Sequence, residues 1–137
     1  MSIQLYQIVC NFGDAGLTSD GGFYVIYTNR TGSASVKGTL AIASTNYDNA
    51  VDIAPANSDM PIGVIYQSNI GNGSPVMVVV GGRAQVLLQD AVGSTRGYWC
   101  GMSPTSGRMY QSATVPSTTE HFREIGHSLQ TVSGGTN

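Results

Sequence analysis

Charged residues are scarce in this 137-residue chain. Lysine, arginine, aspartate and glutamate make up 10% of it, against roughly a quarter in an average soluble domain. The six basic residues are scattered, and the formal net charge is −2. Because nucleic acid binding needs clustered positive charge to neutralise phosphates, we expect no nucleic acid partner.

Cysteines and long apolar runs are also few. Cys10 and Cys100 are the two cysteines, they form no CxxC pair, and no basic and apolar signal segment follows Met1. We therefore expect two reduced thiols in a protein made in the cytoplasm, with a disulfide between them as the open alternative. No apolar run approaches the roughly 20 residues of a membrane span, so we expect no membrane partner.

Helical periodicity is nearly absent, whereas short β-branched and aromatic runs alternate with Gly, Asn, Asp and Pro clusters. The runs "FYVIYT", "GTLAIAS" and "MPIGVIYQ" predict strands. The chain length suits one domain with a real core. The sequence predicts an all-β fold, a small glycine-rich β-barrel or β-sandwich.

A hairpin is predicted in the stretch "PVMVVVGGRAQVLL". Residues 76–80 and 83–89 read as two strands, and Gly81-Gly82 between them is a two-residue connection that tolerates positive φ. The first strand is apolar on both faces, so we expect it to lie between layers as a central wall of the fold or at a subunit interface.

Two short motifs recur in the same order. "KGTLAIAS" from Lys37 aligns with "RGYWCGMS" from Arg96, and "IGVIY" from Ile62 aligns with "IGHSL" from Ile125 at nearly the same spacing. A duplicated half-barrel would produce this pattern, with one strand after Gly38 or Gly97 and another after Gly63 or Gly126.

The N-terminal residues differ in pattern from the rest. "MSIQLYQIVCNF" alternates polar and apolar residues and precedes the glycine-rich "GDAGLTSDGG", which reads as a flexible connector. We therefore divide the chain into an arm or extension over 1–35 and a β-barrel domain over 36–137. An ordinary first barrel strand is the alternative for the first dozen residues.

Residue types that could act in catalysis or bind a metal are present, but their spacing in the sequence does not indicate a common site. A hydrolase would use Cys100 as nucleophile, His121 or His127 as base, and Asp90 or Asp52 to orient the base. A metal site would use His121, Glu124 and His127 in "HFREIGH". "YWCGMS" reads equally well as a strand that buries a small thiol, so we expect no catalytic residue, no metal ligand and no cofactor.

The order of the motifs resembles that of the capsid decoration, or cement, proteins of tailed bacteriophages over residues 36–132. The motifs that carry the resemblance are Lys37-Gly38, Ile62-Gly63-Val64, Val76 to Val86 with Gly81, Gly97 to Gly107 with Ser103, and Ile125-Gly126 with Leu129. The resemblance implies a β-tulip-like barrel without enzymatic activity. It also implies a homotrimer that sits on the outer face of the assembled head, bound to the major capsid protein, and stabilises it.

This hypothesis assigns residues to two surfaces. The capsid-binding arm would use Ile3, Leu5, Tyr6 and Ile8, which could fill pockets while the arm adds to a sheet edge of a capsid subunit. The trimer interface would use Val78, Val80, Arg83 and Trp99.

A second hypothesis is a virion or cell-surface adhesin that binds carbohydrate. In that case the aromatic residues Tyr47, Tyr98, Trp99 or Tyr110 would stack on sugar rings. A small hydrolase centred on Cys100 is the third hypothesis.

Overall fold

The computed structural model of the chain describes residues 14–134, and these are nearly all β, as the sequence predicts. The elements are β1 Ala15–Leu17, β2 Gly22–Asn29, β3 Leu40–Ala43, β4 Ala50–Ile53, β5 Gly63–Ile65, β6 Pro75–Gly82, β7 Trp99–Met102, β8 Met109–Ser112, a 3₁₀ helix Glu120–Arg123 and β9 Glu124–His127. Within that range, no helix is long and apolar enough to cross a bilayer.

Five strands close into a small barrel. Their hydrogen-bonded order is β2-β4-β3-β5-β6, and β6 pairs again with β2 to complete the ring. The interior is filled from each strand after β2 by fully or almost fully buried side chains, namely Ala41, Val51, Ile65, Val76 and Val78, with Tyr27 of β2 packed against them. Burying a valine or isoleucine contributes about 1.5–3 kcal/mol relative to exposure, so this cluster holds the barrel together.

Strand β6 is a central wall, as its apolar run predicts. Val76, Val78 and Val79 are buried, and β6 pairs antiparallel with both β2 and β5. The predicted hairpin with residues 83–89 is wrong, because both edges of β6 are already taken. The chain instead runs on from Gly82 and forms a parallel bridge between Leu88 and Met109 of β8.

The described part of the expected N-terminal extension belongs to the barrel. Residues 22–29 form the wall strand β2, whose partners are β4 and β6. The glycine-rich stretch expected to be a connector contains β1, which pairs antiparallel with β2. The division at residue 35 is therefore corrected: the apolar alternation of "FYVIYT" builds the barrel, and an arm can only lie within residues 1–13, outside the described range.

A second sheet, with the order β8-β7-β9, packs against the barrel. Buried residues from both sides form a second cluster, namely Leu40, Ala54, Leu88, Cys100, Met102 and Met109. Gly107 joins the two parts, because its carbonyl accepts from Leu40 N and its amide donates to Ala54 O, each at 2.8 Å.

The second sheet repeats part of the barrel in strand order and in register. In the barrel, β3 lies between β4 and β5; in the second sheet, β7 lies between β8 and β9. Ala41 pairs with Gly63, and the residues that the sequence repeat aligns with them, Cys100 and Gly126, pair with each other. The predicted duplication is therefore confirmed in the strand pairing.

The turns before β3 and β7 are also equivalent. Gly38 and Gly97 have φ of 92° and 82°, a left-handed conformation that favours glycine. Gly38 N donates to Ile65 O at 2.8 Å, and Gly97 N donates to Ser128 O at the same distance. The basic-glycine pairs noted in the sequence are thus the same turn used twice.

Residues 83–89 are the second copy of β2. Asn29 of β2 pairs in parallel with Val51 of β4, as Leu88 does with Met109 of β8. The next residue in each case donates to the partner's carbonyl at 2.9 Å, Arg30 N to Val51 O and Gln89 N to Met109 O. We call residues 23–70 the first unit and residues 83–132 the second unit.

Candidate functional site

An open cleft of about 930 Å³ lies between the two outer segments of the second unit. One wall is formed by residues 79–88 and the other by residues 124–130, which include β9. Its floor includes Leu40, Cys100 and Met109 of the second buried cluster. The cleft therefore separates the two outer segments of the second unit, the copy of β2 and the copy of β5.

Apolar side chains at the cleft are only partly covered. Val86 and Ile125 are half-buried, while the exposed fractions are 39% for Val80, 64% for Leu129 and 44% for Val132. Large apolar groups grouped around one concave surface are typical of a site that binds another molecule.

Most of the acidic charge at the cleft is already paired. Asp20 lies 3.6 Å from Lys37 Nζ, and Glu124 lies 3.0 Å from His121 Nδ1. Arg83 lies exposed at one end beside Gly21. A cleft with few free charges and a lining of mixed polar and apolar groups suits an uncharged ligand.

The predicted trimer residues lie in different places. Val78 is fully buried inside the barrel, so its side chain is corrected from an interface residue to a core residue. Val80 and Arg83 are exposed and line the cleft. Trp99 is half-buried and lines a separate cavity of about 190 Å³. The structure thus places Val80 and Arg83 at the same cleft and Trp99 at a different cavity.

Two histidine rings lie near Trp99. Its ring centroid is 4.3 Å from that of His127 and 6.3 Å from that of His121. The cavity beside it is also lined by Tyr110 and Glu124. Tyr47, named with these residues for sugar stacking, lies apart with the Arg30 guanidinium 4.2 Å above its ring, and Tyr98 is exposed at the second turn.

The candidate catalytic residues have other partners. Cys100 is a buried free thiol whose sulfur lies 3.8 Å from Tyr98 O, and burial raises the pKa of this thiol. His121 contacts Glu124, and Asp90 lies 3.4 Å from Arg108 Nη1. Cys100 is thus packed as a small apolar side chain, as "YWCGMS" suggests. In residues 14–134, no three His, Cys, Asp or Glu side chains are grouped so as to hold a metal ion.

A capped turn precedes β9. Ser117 N donates to Glu120 Oε2 at 2.8 Å, and Glu120 N donates to Ser117 Oγ at 3.4 Å. The hydrogen bond from the Ser117 amide holds the pKa of the Glu120 carboxyl below its usual range. The reciprocal bonds are those of a capping box.

The predicted capsid-binding residues Ile3, Leu5, Tyr6 and Ile8 lie outside the described residues. The sequence reasoning also missed the cleft, because the pattern of residues 83–89 fits the second strand of a hairpin. A signal for the cleft is present: Gly21-Gly22 at the start of β2 recurs as Gly81-Gly82. The spacing of the two pairs is close to that of the other repeats and marks residues 83–89 as the copy of β2.

No family model matches this chain, and neither the curated proteins nor the solved structures contain a significant match.

Proposed function

We propose that the protein is a capsid decoration protein of a tailed bacteriophage. It binds the outer surface of the assembled head as a homotrimer, contacts the major capsid protein and stabilises the shell. The observation that carries the proposal is the ordered motif set, since Lys37-Gly38, Ile62-Gly63-Val64, Gly97 and Ile125-Gly126 lie at the turns and strands that build the two units. The protein would be made in the host cytoplasm and act on the capsid exterior.

The surface of the body supports binding to a protein. Charges are few, and several large apolar side chains are exposed, with exposed fractions of 80% for Leu17, 68% for Met60 and 67% for Phe122. Contact with another protein would remove such groups from water. A ligand that binds the assembled shell and not free subunits stabilises the shell by mass action.

Attachment is proposed to use the N-terminal arm. An extended segment with Ile3, Leu5 and Ile8 could add to an exposed sheet edge of a capsid subunit, gaining main-chain hydrogen bonds while the side chains fill pockets. Three arms in a trimer would multiply weak single contacts into firm attachment. For trimer contact, Val80, Arg83 and Trp99 remain candidates, and the side chain of Val78 does not.

Co-sedimentation with undecorated, expanded heads of the encoding phage tests this function. The purified protein is titrated to saturation and counted against the major capsid protein. We expect a plateau at a fixed ratio set by the local threefold sites, and loss of binding when residues 2–12 are deleted while the body stays folded. Replacing Gln4 and Gln7 with Ser is the matched control, because it leaves the apolar side chains of the arm intact. Absence of binding to intact heads would contradict the proposal.

A carbohydrate-binding module is the second candidate, and the cavity beside Trp99 favours it. Tyr110 and the acidic Glu120 and Glu124 line the same cavity, which supplies one aromatic surface and polar acceptors. A glycan array tests it directly. A selective signal that Trp99→Ala abolishes would support this candidate, whereas a decoration protein should give no selective signal.

A further inference from the structure

The second unit repeats four of the five barrel strands. Residues 83–89, β7, β8 and β9 correspond to β2, β3, β4 and β5. The fifth barrel strand, β6, closes the first unit by pairing with both β2 and β5. Among residues 14–134, no strand holds the equivalent place between residues 83–89 and β9.

The cleft lies at that place. Its lining includes the copies of β2 and β5, the strands that β6 joins in the first unit, together with residues 61–64 and 79–82 of the first barrel. Val76 and Val78 of β6 fill the first barrel, and no described side chain in the second unit corresponds to them. The open volume of about 930 Å³ is therefore a gap in a barrel.

The backbone amide that follows β9 is equivalent to the amide that follows β5 and donates to β6. Tyr66 N donates to Met77 O of β6 at 2.9 Å. Leu129 is the equivalent of Tyr66 in the repeat, and no backbone carbonyl within the described range accepts from its amide. An unpaired strand edge is a template for another strand.

The paired glycines show the same difference in space. A Cβ on Gly63 would lie 2.5 Å from Val79 O and 2.8 Å from the Val78 side chain, because β6 passes close to it. A Cβ on Gly126, whose φ is 140°, would meet no atom of residues 14–134 within 4 Å. The first glycine is covered by β6, and no described strand covers its copy.

Side chains beside β9 are exposed where their copies are covered. Ile70 packs against the barrel cluster that contains Val76 and Val78 of β6. Its copy Val132 is 44% exposed, and Leu129 is 64% exposed whereas its copy Tyr66 is only partly exposed. A strand on β9 would cover both side chains.

We propose that the cleft binds an extended polypeptide strand, which pairs antiparallel with β9 and completes the second barrel as β6 completes the first. The strand is uncharged and rich in β-branched side chains, because its inner face must occupy the positions of Val76 and Val78. The few charges at the cleft, most of them paired, favour the same chemistry. This inference is independent of the proposed function.

The path of the chain indicates how such a strand can be tested. In the first unit, four residues lie between Ile70 and Pro75, where β6 begins. Val132, the copy of Ile70, accepts from Ser94 N as Ile70 O accepts from Ser35 N, and five residues follow it up to the end of the chain at Asn137. A strand fused behind residue 137 therefore has a linker only one residue longer than the one that precedes β6.

The test fuses a copy of residues 75–80, Pro-Val-Met-Val-Val-Val, behind residue 137 and measures amide hydrogen exchange by NMR. The matched control fusion is Pro-Val-Pro-Val-Pro-Val, since proline has no amide to donate to the ladder. We expect the Leu129 and His127 amides to exchange at least about tenfold more slowly in the first fusion than in the control, with Tyr66 unchanged. If a fusion fails to fold, the same strand is made as a lysine-tagged synthetic peptide and titrated into the unmodified labelled chain. The peptide must then shift the NMR signals of the same amides and slow their exchange.

Two results would overturn the inference. The first is that the Leu129 amide exchanges equally fast in both fusions or, where a fusion does not fold, equally fast with and without the peptide. This result would show that the edge of β9 does not accept a strand. Slow exchange at Leu129 in the unmodified chain that is lost on deleting residues 2–12 would assign the edge to the N-terminal segment, whose alternating pattern differs from that of β6.

Discussion

Ser35 and Ser94 hold the same position in the two units. Both are buried, and Ser35 Oγ donates to Gln67 O at 2.6 Å while Ser94 Oγ donates to Gln130 O at 2.8 Å. Each serine ties the chain before the basic-glycine turn to the chain after the last strand of its unit, β5 or β9. The duplication thus extends from strand order to individual side-chain hydrogen bonds.

Removing these hydroxyls should destabilise the fold. Ser35 Oγ also accepts from Ile70 N at 3.0 Å, so Ser35→Ala leaves two part-buried backbone groups without their partner, at a cost of about 1–3 kcal/mol in the free energy of unfolding. Ser94→Ala breaks one such bond to Gln130 and should cost less, about 0.5–1.5 kcal/mol. Urea unfolding measures both, and the exposed Ser33→Ala is the control, expected within about 0.5 kcal/mol of the parent. A loss at Ser33 equal to that at Ser35 would contradict the assignment.

The glycines at Gly97 and Gly107 separate backbone strain from steric clash. Both have positive φ, 82° and 71°, so alanine at either position costs about 1–2 kcal/mol in backbone strain. A Cβ at Gly97 meets nothing within 4 Å, whereas at Gly107 it lies 2.8 Å from Thr39 Cγ2 and 2.9 Å from Ile53 Cγ2. We expect Gly107→Ala to lose at least about 1 kcal/mol more than Gly97→Ala in urea unfolding. Equal losses would mean that Gly107 does not fix the packing of the two units.

Cys100 should behave as a buried and unreactive thiol. In a Cys10→Ser background, alkylation of the native protein should be slow at pH 8 and fast in denaturant, because burial disfavours the thiolate and raises the pKa of Cys100. The raised pKa also makes the free energy of unfolding fall with pH. This contribution is fully present below the unfolded-state pKa near 9.0 and is lost as pH rises through the higher folded-state pKa. Fast alkylation of the folded protein would place the thiol at the surface.

The turn before β9 should respond to acid. The pKa of Glu120 is lowered chiefly by the Ser117 amide, so the turn's stability is present above the usual carboxyl pKa of 4.5 and is lost as pH falls through the lower folded value. Carbon-13 NMR titration of the Glu120 carboxyl should give a midpoint below 4.5, and Ser117→Pro, which removes the amide donor, should raise it. A midpoint unchanged by Ser117→Pro would assign the shift to another group.

Much of the fold is readable from the sequence because local patterns and pairing agree. β2, β3, β5 and β6 follow from β-branched runs, and the equivalence of Gly38 with Gly97 follows from motifs at a nearly constant spacing. The partner of β6 is not readable this way, since Gly81-Gly82 is equally compatible with a tight turn and with the end of one strand before the next unit. Which neighbour β6 takes depends on the closed barrel, a relationship between distant residues.

The cleft escapes the sequence for a related reason. The apolar pattern places Val78 at a subunit interface together with Val80 and Arg83, although strand alternation alone cannot say which face of an all-apolar strand is inside. Once the barrel is closed, Val78 lies in its interior and the outer segments of the second unit stand apart. The candidate site therefore depends on which strands of the repeat are present and how they pair, and no single motif in the sequence encodes it.

Amide exchange in the unmodified chain at Tyr66 and Leu129 tests the central structural claim most directly, that two equivalent units differ in one covering strand. Tyr66 N is bonded to β6, so it should exchange at least about a hundredfold more slowly than Leu129 N, for which residues 14–134 supply no backbone acceptor. Equal protection at the two positions would contradict the account, because it would show that the second unit is already closed.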